Sequence, residues 1–146
     1  TENRDQEGRM EVFTEEWCAA CCDRLNQRES YRLAAAGWEG AAVLLMSADS
    51  EHGIDSDRAV WLDIHHGQCR GARVATEQDL DTAPYVFRAG PADWKRLLAG
   101  EVDPISAAMT GKLKLSRGNL FTLAKYAPAA REMVLAAGEV GGTFPA

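Results

Sequence analysis

Cys18, Cys21 and Cys22 are the residues whose types and spacing come closest to a reactive or metal-binding site. Cys18 and Cys21 have the two-residue spacing used by zinc and thiol–disulfide sites, and on a helix all three thiols fall on one face. A closed zinc site needs four ligands, and the remaining ones would come from His65, His66 and Cys69. The same positions, however, continue an apolar stripe with Phe13, Trp17 and Leu25, where a thiol serves as a small buried hydrophobe. A thioredoxin-like site also needs a strand feeding the cysteine pair from a βαβ unit, and none precedes it. The expectation is packing thiols, no metal and no cofactor.

Asp63 and His65 form the second candidate. On a strand they share a face and could act as a general-base pair. His66 would then project from the opposite face, so the two imidazoles could not act together. No serine or cysteine occupies a nucleophile elbow that would use them. Gly37-Trp38-Glu39-Gly40 lacks the Lys and Ser/Thr of a phosphate-cradling loop. No catalytic constellation results, and the chain is expected not to be an enzyme.

The elements around these residues fit one domain. The chain has 146 residues, 46% of them hydrophobic, enough for a core without covalent staples. Its net charge is −6 and no basic run tracks a phosphate backbone, which argues against a nucleic-acid partner. Lys112, Lys114 and Arg117 allow at most a transient membrane contact, and a solvated strand edge is the simpler reading. Neither a secretory-type apolar leader nor a membrane-length stretch is present. With reduced thiols, this suggests a cytoplasmic location.

Residues 1–10 read as a polar N-terminal tail and 138–146 as a flexible C-terminal tail. Between them, Thr14 caps a first helix with Glu15 and Glu16 in its first turn, and Glu29–Ala36 forms a second that ends at Gly37. Ala41–Met46 is apolar on both faces and reads as a buried strand. Val60, Leu62 and Ile64 alternate with Trp61, Asp63 and His65 as a half-buried strand. Arg70–Ala75 and Tyr85–Arg88 follow, and the short connections favour an antiparallel meander. Pro91 opens a helix with Trp94, Leu97 and Leu98, Asp103-Pro104 a short one, and Lys112–Ser116 a fifth strand. The last helical region, about Asn119 to Ala137, should be split by Pro128. The fold class is α+β: a five-stranded, largely antiparallel sheet with helices packed on one face.

This order of parts resembles the sterol carrier protein 2 (SCP2 sterol-transfer) family in its bacterial single-domain form. The specific residues are Trp94-Lys95-Arg96-Leu97-Leu98-Ala99-Gly100, then Asp103-Pro104, then Ala107-Ala108-Met109-Thr110-Gly111-Lys112-Leu113-Lys114-Leu115. Phe13-Thr14-Glu15-Glu16-Trp17 and Gly37-Trp38-Glu39-Gly40 add a weaker match, and the likeness spans roughly residues 11–137. Ser116-Arg117 is one residue longer than is usual before Gly118, and Asn119 stands where an acidic residue is common.

The resemblance implies an SCP2-like lipid-binding domain over residues 11–137. Its apolar tunnel between sheet and helices would take a fatty acid, fatty acyl-CoA, sterol or phospholipid without catalysis. The lining it implies is Val60, Leu62 and Ile64 on the sheet; Trp94, Leu97 and Met109 on the helices before the last strand; Leu113 and Leu115 on that strand; and Leu120, Phe121, Leu123 and Ala124 after it. One helical stripe can serve core and cavity alike, so these residues mark a region. The rival reading is an accessory or protein-interaction module with a collapsed cavity, using an exposed Trp61 as its partner surface. The oligomeric state is open, with a dimer possible.

Overall fold

The structure is a computed structural model that describes residues 10–145; the polar N-terminal tail lies outside the described residues except for Met10. Helix α1, Glu15–Asn26, is capped by Thr14, whose side chain accepts from the Trp17 amide. It buries Trp17, Cys18, Cys21 and Leu25, the stripe expected from the sequence. The short α2, Glu29–Ala34, follows.

Five strands form one sheet of order β3-β2-β1-β4-β5: β1 Glu39–Met46, β2 Arg58–His65, β3 Gln68–Val74, β4 Tyr85–Ala89 and β5 Lys114–Arg117. A short 3₁₀ turn, Ser50–His52, interrupts the β1–β2 loop. The sheet is mostly antiparallel, but β1 pairs with β4 in parallel. A simple meander is therefore not what forms. After β3 the chain passes to the far side of β1, through a helix in the stretch read as a polar connection. That helix, α3 (Glu77–Thr82), is closed by a capping box in which Thr76 and Asp79 exchange side-chain-to-backbone bonds. The box satisfies orphan amides at its first turn.

The central strand explains its apolar run by packing on both faces. Ala42, Leu44 and Met46 join the main core, whereas Val43 and Leu45 meet Ala59, Ala83 and Val86 on the other side. Leu80 of α3 and Trp61 cover this second cluster. Trp61 is half-buried, and the Arg73 guanidinium lies 4.2 Å from its ring centre. The Trp61 ring thus makes a cation–π contact within the sheet face.

The main face carries α1, α2 and four later helices: α4 Pro91–Leu98, α5 Pro104–Met109, α6 Leu120–Lys125 and α7 Ala127–Val140. The break between α6 and α7 falls at Tyr126, with Pro128 in the first turn of α7, where its missing N–H costs nothing. Helix α7 packs on α1, α2, α4 and α5. At Gly138 it approaches α4 so closely that an added β-carbon would lie 2.2 Å from the Leu98 carbonyl oxygen. Arg28 ties it down, donating to Glu132 at 2.6 Å and also to Glu139. Part of the end read as a tail has defined structure. Residues 138–140 are helical, and Thr143 exchanges backbone bonds with Met10 and Val12 at 2.7 and 3.1 Å.

Candidate functional site

Between the sheet and the main helix layer lies an interior space lined by apolar side chains. Leu44, Val60, Leu62 and Phe87 form its floor. Trp17, Cys21 and Leu25 of α1, Trp38, Trp94 and Leu98, Pro104, Leu113, Leu123, and Ala130, Met133, Val134 and Ala137 of α7 complete the wall. Each element contributes through its period: every second residue of β2, and every third or fourth of α1 and α7. The room left for the centre of a water-sized sphere is about 30 Å³. That admits one or two waters, whereas pockets for drug-sized ligands run to roughly 300–1,000 Å³. In this conformation the space is narrow.

Of the residues singled out in the sequence, Val60, Leu62, Trp94, Leu113 and Leu123 come together on this lining. Ile64 and Leu97 are buried beside it, in the main core. Leu115 is half-buried on β5, where only a four-residue strand forms. Met109, Leu120 and Phe121 lie outside the interior space, 74%, 42% and 84% exposed, and Ala124 is exposed as well. Met109 ends α5, and of α6 only Leu123 reaches the core. The stripe of α7 that does line the space is visible in the sequence at Ala130, Met133, Val134 and Ala137, without a sign of whether it faces core or cavity.

Two tryptophans are anchored by their indole N–H groups: Trp94 donates to the Leu45 carbonyl and Trp17 to that of Gly141, both at 2.9 Å. Trp38 differs. Its ring is 1% exposed and stacks on Tyr126 at 5.5 Å, yet its indole nitrogen has no hydrogen-bond partner. A buried unpaired N–H costs on the order of 1–3 kcal/mol.

A surface groove of about 330 Å³ lies outside β5, lined by Ala108, Gly111, Leu113, Lys114, Leu115, Ser116, Gly118 and Leu120. Leu113 lines both this groove and the interior space. Met109, Leu120 and Phe121 belong to the same stretch. From Pro104 to Arg131 the chain carries Lys112, Lys114, Arg117, Lys125 and Arg131 and no carboxylate, against a net charge of −6 for the whole chain. Arg117 donates to the Leu80 carbonyl at 2.7 Å, and Arg131 pairs with Asp103.

No disulfide joins the four cysteines, and Cys18, Cys21 and Cys69 are buried. Burial pushes the Cys18 thiol up to about 12, so it stays neutral. A hydrogen bond with Cys69 lowers the Cys22 thiol, while that same bond and burial raise Cys69. Asp63 is bound by Arg70 through two bonds of 3.1 Å, which removes it from a partnership with His65. His65 and His66 do come together, contrary to strand alternation, because His66 has already left the strand. Among the described residues no helix is long and apolar enough to cross a membrane.

The fold is thus α+β, with an apolar space between sheet and helices. The comparisons give that class a family. The profile of the SCP-2 sterol transfer family matches residues 23–131, and the chain belongs to that family. It is similar to a crystal structure of sterol carrier protein 2, with 42% identity and a TM-score of 0.79, over 87% of this chain and 97% of that one. It is equally similar to a conserved hypothetical protein, possibly sterol carrier protein, from Thermus thermophilus, with 42% identity, a TM-score of 0.81 and 92% of each chain covered. The apo form of sterol carrier protein 2 from Yarrowia lipolytica shares the fold, at 17% identity and a TM-score of 0.56. No curated protein matches the sequence. Family membership supports a lipid-binding or transfer role.

Proposed function

We propose that this chain binds one hydrophobic molecule, a fatty acid, acyl-CoA tail, sterol or phospholipid, between its sheet and its helices, and carries it without performing a reaction. The observation that supports this most directly is the interior space whose lining consists of apolar side chains from both layers. The driving force is removal of hydrocarbon from water, about 0.8 kcal/mol per buried CH₂. A twelve-carbon chain would release on the order of 10 kcal/mol before association and ordering costs, enough to displace side chains that fill the space.

Loading proceeds by parting the wall at Leu113, the side chain shared with the outer groove. Met133 of α7 suits an adjustable wall, because its thioether stem can shift to different ligand shapes. The Trp38 indole, lacking an acceptor, favours a ligand bearing an oxygen near its buried end. The exposed Met109, Leu120 and Phe121, set among lysines without neighbouring carboxylates, form the face that meets an anionic bilayer during pickup and release.

The small volume of the space gives weight to a second reading, an accessory module whose cavity stays collapsed. Titration with a fluorescent fatty acid separates the two. Saturable one-to-one binding, weakened by filling the space with Ala130→Phe, supports the carrier. No uptake by the folded wild type would leave the accessory module.

A further inference from the structure

The turn between β2 and β3 breaks the alternation its sequence suggests. His65 ends β2 opposite Glu39 of β1. His66 then adopts φ 47°, a left-handed conformation that costs a non-glycine residue roughly 1–3 kcal/mol. Two contacts hold it there. Its backbone N–H donates to the Trp38 carbonyl at 2.8 Å. Gly67 follows at φ 85°, so close to α2 that an added β-carbon would lie 2.4 Å from the Arg32 carbonyl oxygen. Both imidazoles therefore reach the same carboxylate. Their ring centres are 4.4 Å apart, and Glu39 Oε2 lies 3.0 Å from His66 Nε2 and 3.9 Å from His65 Nδ1.

The proton inventory of His66 is informative. Its Nδ1 lies 2.8 Å from the Ala36 carbonyl, which can only accept, so Nδ1 carries a proton. Its Nε2 faces a carboxylate oxygen, which also only accepts. Held at Nδ1 in this way, the ring directs Nε2 at the Glu39 carboxylate, the arrangement of a histidine ligand beside an acidic one. An imidazole whose far nitrogen donates to a backbone carbonyl is also the usual outer support of a metal-ligating histidine.

We infer that Glu39, His65 and His66 form a surface site for a zinc-type divalent ion, held by the Glu39 carboxylate, His65 Nδ1 and His66 Nε2. The three ligand atoms lie within 4.8 Å of one another. Two imidazoles and a carboxylate select zinc, nickel or copper over magnesium or calcium, and three protein ligands leave a fourth position for water. The ion fastens the start of β1 to the β2–β3 turn.

The test is calorimetric titration of zinc chloride into chelator-treated, dialysed protein at neutral pH, with a phosphine keeping the thiols reduced. The expected result is one bound equivalent. Glu39→Gln, His65→Gln and His66→Asn should each weaken binding roughly tenfold or more, and Cys22→Ser should leave it unchanged. Asn suits the left-handed position, and circular-dichroism melts check that each variant folds. Absence of binding to the folded wild type would overturn the site. Zinc affinity kept in His66→Asn and lost in Cys22→Ser would also overturn it, by placing the ion on the thiols. Neither outcome depends on the lipid-binding reading.

Discussion

The Trp94 indole N–H reaches across the core to the Leu45 carbonyl of the central strand, 2.9 Å away. Helix α4 is thereby bolted to the sheet, and Arg28 and Gly138 fasten α7 on its neighbours. Of α6 only Leu123 is buried, and the β5–α6 stretch is held by Arg117, which donates to the Leu80 carbonyl, and by the Tyr126 hydroxyl, which donates to the Gly37 carbonyl at 3.0 Å. Trp94→Phe keeps the ring and removes the bond, so it should lower unfolding stability by about 1–3 kcal/mol. Urea denaturation measures this, with an unchanged m-value expected; a neutral substitution would mean that α4 is held by packing alone.

Phe121, 84% exposed, carries little of the fold's stability. Phe121→Asp should change stability by no more than about 0.5 kcal/mol yet slow fatty-acid pickup from anionic vesicles. Stopped-flow transfer at low and high salt reads this. Equal rates for variant and wild type would remove α6 from the pickup face.

The ion pair of Asp79 with Arg73 sets a pH dependence. That bond holds the Asp79 carboxyl near pKa 2, below its ordinary 3.8, with further bonds from Thr76. A depressed folded pKa adds stability above the unfolded value and loses it as pH falls from about 4 toward 2. Because Arg73 is 41% exposed, screening limits the effect to on the order of 1 kcal/mol. Asp79→Asn should lose that amount at neutral pH and show a shallower acid dependence than wild type. Parallel acid profiles for the two proteins would contradict this.

The unpaired Trp38 indole gives a selectivity prediction. Trp38→Phe keeps an aromatic ring against Tyr126 and removes the orphan donor. Binding of an oxygen-bearing ligand such as a fatty alcohol should weaken roughly threefold to tenfold, while a hydrocarbon of equal length should bind as well as before. Competition against a fluorescent probe measures both, and equal losses would mean that the indole packs without bonding.

The period of the sequence carried much of this. Thr14, Pro91, Asp103 and Pro128 mark helix starts by their chemistry, and the stripes of α1 and α7 lie where spacing puts them. What the sequence could not disclose depends on contacts distant along the chain. The parallel pairing of β4 with β1 follows from α3, whose capping box is Thr76-Glu77-Gln78-Asp79, a signal readable in hindsight but embedded in a polar stretch. The exposure of Phe121 depends on how α6 sits on the core, and the meeting of His65 with His66 follows from one left-handed residue. The division between core and cavity is a matter of a few tens of Å³, which no stripe of apolar residues encodes.

Native mass spectrometry of the freshly purified protein, followed by solvent extraction and identification of any released lipid, tests the central claim most directly. The account predicts one hydrophobic molecule per chain, lost in the space-filling variant Ala130→Phe while the fold persists. A folded wild type that is bare and stays bare after incubation with fatty acid vesicles would contradict it.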